Sequence, residues 1–209
     1  MCNLYRMTAP REAVARLFKT EVDHGANFAA EVYPGYRGLV IAGGRAQAMT
    51  WGFPLVLKSK RTGQPLKPKP VNNTREDKLH TAFWRDSFAK RRCLIPVAQW
   101  AEAEGETGLM TRTWYGLPDQ ELFAVAGIWR PTVEWGNAYS MVMVDGCEQM
   151  AEAHDRMPTI LPEVDWQQWT EGTPEEAFAL CRVWQAPLAV NRTPEPWYAR
   201  PGAVSAQRT

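Results

Sequence analysis

Apolar residues in this 209-residue chain are gathered into short runs broken by Pro, Gly and charged side chains, and that spacing narrows the architecture at once. Residues 121–129 and 138–145, rich in Val, Phe, Tyr and Met, read as the clearest strands. Residues 93–97 read as a short buried strand followed by Trp100 and Glu102, and residues 39–42 as another. Residues 46–57 form a longer strand with a bend at Trp51-Gly52-Phe53-Pro54. Helical signals are scattered. Pro10 opens a first helix, with Thr8 as a nearby cap and Val14, Leu17 and Phe18 on one face. Thr74 and Asp77 resemble a capping box that starts a helix with Leu79, Phe83 and Phe88 on its apolar face. Residues 163–170 and 174–184 read as two short helices. There is no strand–helix–strand rhythm and no internal repeat. The expected fold class is therefore α+β, a mostly antiparallel twisted sheet or barrel-like β core with short flanking helices. One domain is expected over residues 1–197, with 198–209 as a frayed tail.

No apolar run reaches the roughly 18 residues that a membrane-spanning helix needs. The N-terminus, MCNLYRMTAPREAVARLF, has no basic stretch followed by an apolar one, so a cytoplasmic protein is expected. Four cysteines (Cys2, Cys93, Cys147, Cys181) are scattered without a CxxC or CxH pair, which predicts no metal site and no disulfide framework. Most of them should be small buried apolar residues, and Cys2 should differ because a terminus is seldom packed deep. A net charge of +1, from 24 basic and 23 acidic residues, makes no global case for a nucleic-acid partner. Locally the charge is uneven. Lys58, Lys60, Arg61, Lys67 and Lys69 lie in an aperiodic stretch that reads as a long surface loop, and Lys90, Arg91 and Arg92 form a second run. Both runs fit a solvated surface as well as a phosphate contact.

Four positions suggest chemistry. Removal of Met1 would leave Cys2 with a free amine and a thiol, a 1,2-aminothiol that condenses with an aldehyde to an imine and then closes a thiazolidine ring. An α-amine has a reference pKa near ~8, so part of it is neutral and nucleophilic at physiological pH. His154 lies in Ala153-His154-Asp155-Arg156-Met157-Pro158, a turn-forming context that suits a proton-transfer group or a structural histidine. His24 in a loop and His80 on a helix read as solvent-facing or packing residues. Glu102, just after an apolar strand, is placed to gain a raised pKa by burial, the alternative being a surface Glu beside Glu104 and Glu106. Asn72-Asn73-Thr74-Arg75 reads equally well as helix-start chemistry.

Taken in order, Met1-Cys2, Trp51-Gly52, Asn73-x-Arg75, the strand from Cys93 to Glu102 with Trp100, and His154-Asp155-Arg156-x-Pro158 resemble the SRAP family, the SOS-response-associated peptidases or abasic-site processing proteins. The resemblance runs from Met1 to about Asn191. It implies that Cys2 joins the ring-opened aldehyde of an abasic deoxyribose as a covalent DNA–protein crosslink, that Asn73 holds the terminal amine or sugar, and that Glu102 and His154 move protons. It implies Arg75 and Arg156 as phosphate clamps, with Trp51, Lys58, Lys60 and Arg61 as further DNA contacts. The implied partner is single-stranded DNA containing abasic sites, with no membrane and no cofactor. The implied protein is a monomer acting in the DNA-damage (SOS) response, cytoplasmic and nucleoid-associated when bound. A lyase-type activity and self-processing peptidase activity on Met1 come with the same label. The chain departs from the family where Cys-Gly-Arg becomes Cys2-Asn3-Leu4-Tyr5 and where Asn-x-Ala-Pro-Gly becomes Glu31-Val32-Tyr33-Pro34-Gly35, and no second Trp pair follows Pro54. Two other readings compete: a thiol peptidase or amidohydrolase with Cys2 as nucleophile and His154 as base, and a non-catalytic single-stranded-DNA-binding domain.

Overall fold

Residues with branched or aromatic side chains fit a pleated, half-buried surface, and here they build a closed barrel. The computed structural model describes residues 2–23 and 25–197, so the expected tail at 198–209 and His24 lie outside the described residues. The first strands are β1 (Tyr5–Arg6), β2 (Glu21–Val22), β3 (Glu31–Val32), β4 (Arg37–Ala42), β5 (Arg45–Trp51), β6 (Phe53–Leu55), β7 (Lys69–Val71) and β8 (Asn73–Arg75). They are followed by β9 (Arg92–Val97), β10 (Gln99–Glu104), β11 (Thr111–Gly116), β12 (Phe123–Thr132), β13 (Gly136–Asp145), β14 (Arg156–Pro158), β15 (Ile160–Leu161) and β16 (Ala189–Pro196). Helices α1 (Arg11–Leu17), α2 (Arg85–Lys90), α3 (Trp166–Glu171) and α4 (Pro174–Phe178) are short.

Strand β13 pairs with β12, β12 with β9, β9 with β4, β4 with β5, and β5 returns to β13, which closes five strands into a ring. Every pairing in the ring is antiparallel except the β5–β13 seam, where Ala138 faces Thr50 and Tyr139 faces Trp51 in parallel. A ring this small is filled by its own side chains. Leu39, Trp51, Ile95, Val125 and Tyr139 are all fully buried. A Cβ added at Gly127 would lie 2.8 Å from the Ile95 side chain and 2.9 Å from the Cys93 sulfur, which shows how little room is left. The second sheet, in the order β16-β11-β10-β1-β3, holds the N-terminal strand between β10 and β3.

The α+β, mostly antiparallel architecture matches the expectation, with local corrections. Pro10 is the N-cap of α1, and no side chain caps it, so Thr8 does not have that role. Thr74 and Asp77 do not cap an α-helix; Asp77 lies in a single 3-10 turn, Glu76–Lys78, that no side chain caps. Asn73–Arg75 is a strand paired in parallel with Met141–Met143, and the next α-helix starts only at Arg85. A long-range ladder offered those backbone groups better partners than a helix could, and the Asp77 carboxylate is taken by Arg75 (2.9 and 3.0 Å). The capping box that does form is Thr173 with Glu176 at α4. The stretch from Lys58 onward is exposed but not formless. Phe53–Leu55 pairs with Lys69–Val71, and Leu66 N–H donates to the Leu57 carbonyl (2.7 Å), so the chain leaves the body as a hairpin arm.

The second basic run is structural. Arg92 is buried and donates to the carbonyls of Phe88 (2.7 Å), Trp169 (2.5 Å) and Gly172, satisfying the C-terminal ends of α2 and α3. Arg91 and Lys90 both pair with Asp86.

A Cβ at Gly38 would collide with the hydroxyls of Tyr5 and Tyr139, which hydrogen-bond each other inside the core. Gly38→Ala is therefore expected to destabilise the fold by roughly 1–3 kcal/mol, read as a lower urea midpoint at constant slope. Adding Tyr5→Phe and Tyr139→Phe in the same chain should restore part of the loss. An unshifted midpoint would mean that the tyrosines move aside at no cost.

Candidate active site

A second residue would normally fray, yet Cys2 is fully buried. This overturns the expectation of an accessible terminus, and the cause is long-range. Ala101 N–H donates to the Leu4 carbonyl (2.9 Å), carrying the β1–β10 ladder back past Tyr5. The Cys2 carbonyl then accepts from the side-chain amides of both Asn73 (2.6 Å) and Asn72 (3.0 Å). Asn73 is held by the pairing of β8 with β13, and Asn72 by Met141 N–H donating to its carbonyl (2.9 Å). The Asn73 Oδ1 is buried without a hydrogen-bond partner among the described residues.

Glu102 reaches the same place from β10. It is almost wholly buried, and burial pushes its carboxyl up to about 8, with the charge of the chain's amino terminus pulling the other way. The Cys2 thiol is also raised well above its ordinary value, first by burial and then by the nearby Glu102 carboxylate. At neutral pH both groups are therefore mainly protonated. His154 is half-buried on the loop before β14. Burial is the largest cause lowering its pKa, followed by the amino-terminal charge, while Asp155 acts the other way. Its Nδ1 accepts the Arg156 backbone N–H (2.9 Å) and lies 3.0 Å from the Asp155 carboxylate. A backbone N–H can only donate, so the neutral ring carries its proton on Nε2. Gly146 N–H donates to the Asp155 carbonyl (2.8 Å), and a Cβ there would approach the His154 carbonyl to 2.7 Å. Only glycine lets the His154 loop close so tightly on the end of β13.

Cys2, Asn73, Glu102 and His154 thus belong to one neighbourhood. Asn72 joins it although the sequence offered it only as a helix cap, and Gly146 gave no signal at all. The expected DNA contacts fare unevenly. Trp51, placed provisionally at a DNA surface, is fully buried and donates its indole N–H to the Asn72 carbonyl (2.9 Å), so it has no face to offer a base. Arg75 is paired with Asp77, and Arg156 with Asp145 and, at 3.7 Å, Glu76. Lys58, Lys60 and Arg61 are exposed on the hairpin arm. His80 is exposed and packs against Phe88 and Phe178. Among the described residues no group of three or more His, Cys, Asp or Glu could hold a metal ion, and no helix is long and apolar enough to cross a membrane.

The fold and this neighbourhood define a closed β-rich domain that buries a cysteine at position 2 among amide, carboxyl and imidazole groups. The model of the SOS response associated peptidase (SRAP) family matches residues 1–193, and the chain belongs to that family. It is 27% identical over 133 residues to the abasic site processing protein YobE of Bacillus subtilis strain 168, a match that takes in 60% of this chain and 58% of that relative. The abasic site processing protein YoqW of Bacillus phage SPbeta is also 27% identical, over 60% of this chain and 57% of its own. The chain thus spans less than two thirds of the length of these relatives. Among solved structures, a Bacteroides thetaiotaomicron protein shares the fold at a TM-score of 0.75 and 19% identity, covering 91% of each chain. A Bordetella bronchiseptica protein does so at 0.75 and 20%, covering 92% of this chain and 99% of its own.

The raised Glu102 pKa has a consequence for stability. An unfolded Glu titrates near ~4.3, so between there and about 8 the native state keeps a proton that the unfolded chain has lost. That contribution is complete below the unfolded value and is lost as pH rises through the folded one. Glu102→Gln should remove this slope, making the variant more stable than wild type at pH 8 by on the order of 1–3 kcal/mol and nearly equal at pH 4. Urea midpoints at the two pH values check it, and parallel profiles would show that the carboxyl is ionised in the native state.

Proposed function

We propose that this chain acts on abasic sites in single-stranded DNA, forming a covalent thiazolidine through Cys2 once Met1 has been removed. The observation that carries the reading is the double amide grip on the Cys2 carbonyl beside a protonated Glu102, because it fixes the one residue able to present amine and thiol together. The α-amine attacks the C1′ aldehyde of the ring-opened sugar, and the carbinolamine loses water to give an imine. The sulfur then adds to the imine carbon and the thiol proton passes to nitrogen. The sum is aldehyde plus aminothiol giving thiazolidine plus one water.

Each group has a part. Glu102, protonated near neutrality, donates the proton that lets hydroxide leave as water. Neutral His154, with its proton on Nε2, donates toward the sugar oxygen during ring opening. Asn73 Oδ1, already beside Cys2, is an acceptor suited to the freed amine. Arg75, Arg156 and the basic arm are the proposed phosphate contacts, and cytoplasmic action in the SOS response is part of the same reading. A thiol-hydrolase mechanism is less well supported, because a cysteine held protonated by burial is a weak nucleophile.

Cys2→Ala should abolish a detergent-stable, heat-stable adduct with abasic single-stranded DNA while leaving reversible binding, as seen on a denaturing gel and by anisotropy. His154→Ala and Glu102→Ala should slow adduct formation roughly 10²–10⁴-fold without lowering the melting temperature by more than a few degrees. A chain verified by mass to retain Met1 should form no adduct, since an amide nitrogen cannot form the imine. Normal crosslinking by that species would replace the ring mechanism with a lysine imine or simple thiol addition.

A further inference from the structure

Trp51 has no place in the chemistry above, yet it touches both halves of the machinery. Its backbone is pinned on two sides at the end of β5, donating to the Tyr36 carbonyl (2.8 Å) and accepting from Gly35 N–H (2.7 Å). The ring has no freedom in a fully buried slot, and it stands edge-on to Tyr5 with centroids 5.0 Å apart. Tyr5 is three residues from Cys2. On its polar edge the indole N–H donates to the Asn72 carbonyl, which also accepts Met141 N–H, both at 2.9 Å. The next residue, Gly52, has φ +120°, and a Cβ there would come within 2.5 Å of the Pro70 Cβ, so only glycine lets the strand leading to Asn72 run this close to Trp51.

We propose that Trp51 is a positioning residue for the adduct-forming step: its indole N–H fixes the Asn72 carbonyl, and through that backbone aims the Asn72 and Asn73 amides at the Cys2 carbonyl. The proposal rests on the function given above. The physical reason is lever length. Two short amide contacts, 2.6 and 3.0 Å, hang from adjacent residues, Asn73 at the start of β8 and Asn72 just before it, so a small slide of that backbone loosens both. Misplacing a reacting group by about 1 Å costs about 10²-fold in rate. A half-buried carbonyl that keeps only one of its two donors allows such a slide.

The test is Trp51→Phe, which keeps an aromatic ring and deletes the N–H. Adduct formation is followed in single turnover against the concentration of abasic single-stranded oligonucleotide. The maximal rate should fall at least tenfold while the half-saturating DNA concentration stays within twofold, because the basic residues that grip phosphate are untouched. Trp51→Phe added to the Asn72→Ala/Asn73→Ala variant should be no slower than that variant alone, since the indole acts through those two amides. Phe88→Leu, a core change on α2, should lower the melting temperature and leave the maximal rate unchanged. An unchanged maximal rate in Trp51→Phe, a further slowing when it is added to the Asn72→Ala/Asn73→Ala variant, or an equal slowing by Phe88→Leu would each overturn the proposal. Should Trp51→Phe not fold, Asn72→Ala keeps the backbone carbonyl and the indole bond but removes one amide of the grip. It should show the same loss of maximal rate, and a normal rate would overturn the proposal. Wild-type protein that forms no adduct would instead refute the function on which the proposal rests.

Discussion

Strand β13 is shared by more partners than any two-sided ribbon can serve, and the site follows from how they divide it. Along its length it pairs with β12 on one side. On the other it takes β5 at its start and β8 in the middle, while β14 takes over from β12 at its end. The same strand therefore closes the barrel, sets the register of Asn73 opposite Met141, and delivers the chain at Gly146 to the tight loop that carries His154. A one-residue slip of β8 on β13 would turn every side chain of β8 to the opposite face and take Asn73 off Cys2. The geometry of the candidate site and the closure of the barrel are thus one constraint seen from two sides.

Inside that frame the electrostatics favour neutral groups. Burial raises Cys2 and Glu102 and lowers His154, so each is driven toward its uncharged form. Charged forms in such a place would each cost several kcal/mol without a partner. A site of neutral donors and acceptors suits carbonyl condensation, in which protons move repeatedly and no single charge persists. It suits hydrolysis by a standing thiolate poorly.

Much of the barrel was legible because β4, β9, β12 and β13 are dense in branched and aromatic residues, whose preference for strands is strong. Strand β11 (Thr-Arg-Thr-Trp-Tyr-Gly) and strand β16, with Pro194 and Pro196, were not legible. Their pairing is decided by neighbours far along the chain, and the prolines fit only because β16 is an edge. Thr74 misled for the same reason, since a capping motif is a local preference and the β8–β13 ladder overrode it. The candidate site residues Cys2, Asn73, Glu102 and His154 came through ordered short motifs. Of the residues that hold them in place, Trp51 came through only as an expected DNA contact, Asn72 only as a helix cap and Gly146 not at all, because positioning depends on tertiary contacts, as between Asn72 and Cys2, 70 positions apart. Arg92 shows the converse. A basic run that read as a solvated strand entrance or a phosphate contact spends its one buried guanidinium on the ends of two helices.

The depth at which Cys2 lies also bears on its survival. Peroxides and alkylating electrophiles react with thiolate, and susceptibility follows thiolate character together with exposure. A sulfur with no exposed surface and a raised pKa offers neither. A cysteine at the surface, by contrast, is open to capping as a sulfenic acid or mixed disulfide. In the proposed function, packing Cys2 under two asparagine amides would keep its sulfur reduced, so that a sugar aldehyde brought into the site, and not whatever diffuses past, is the electrophile it meets first.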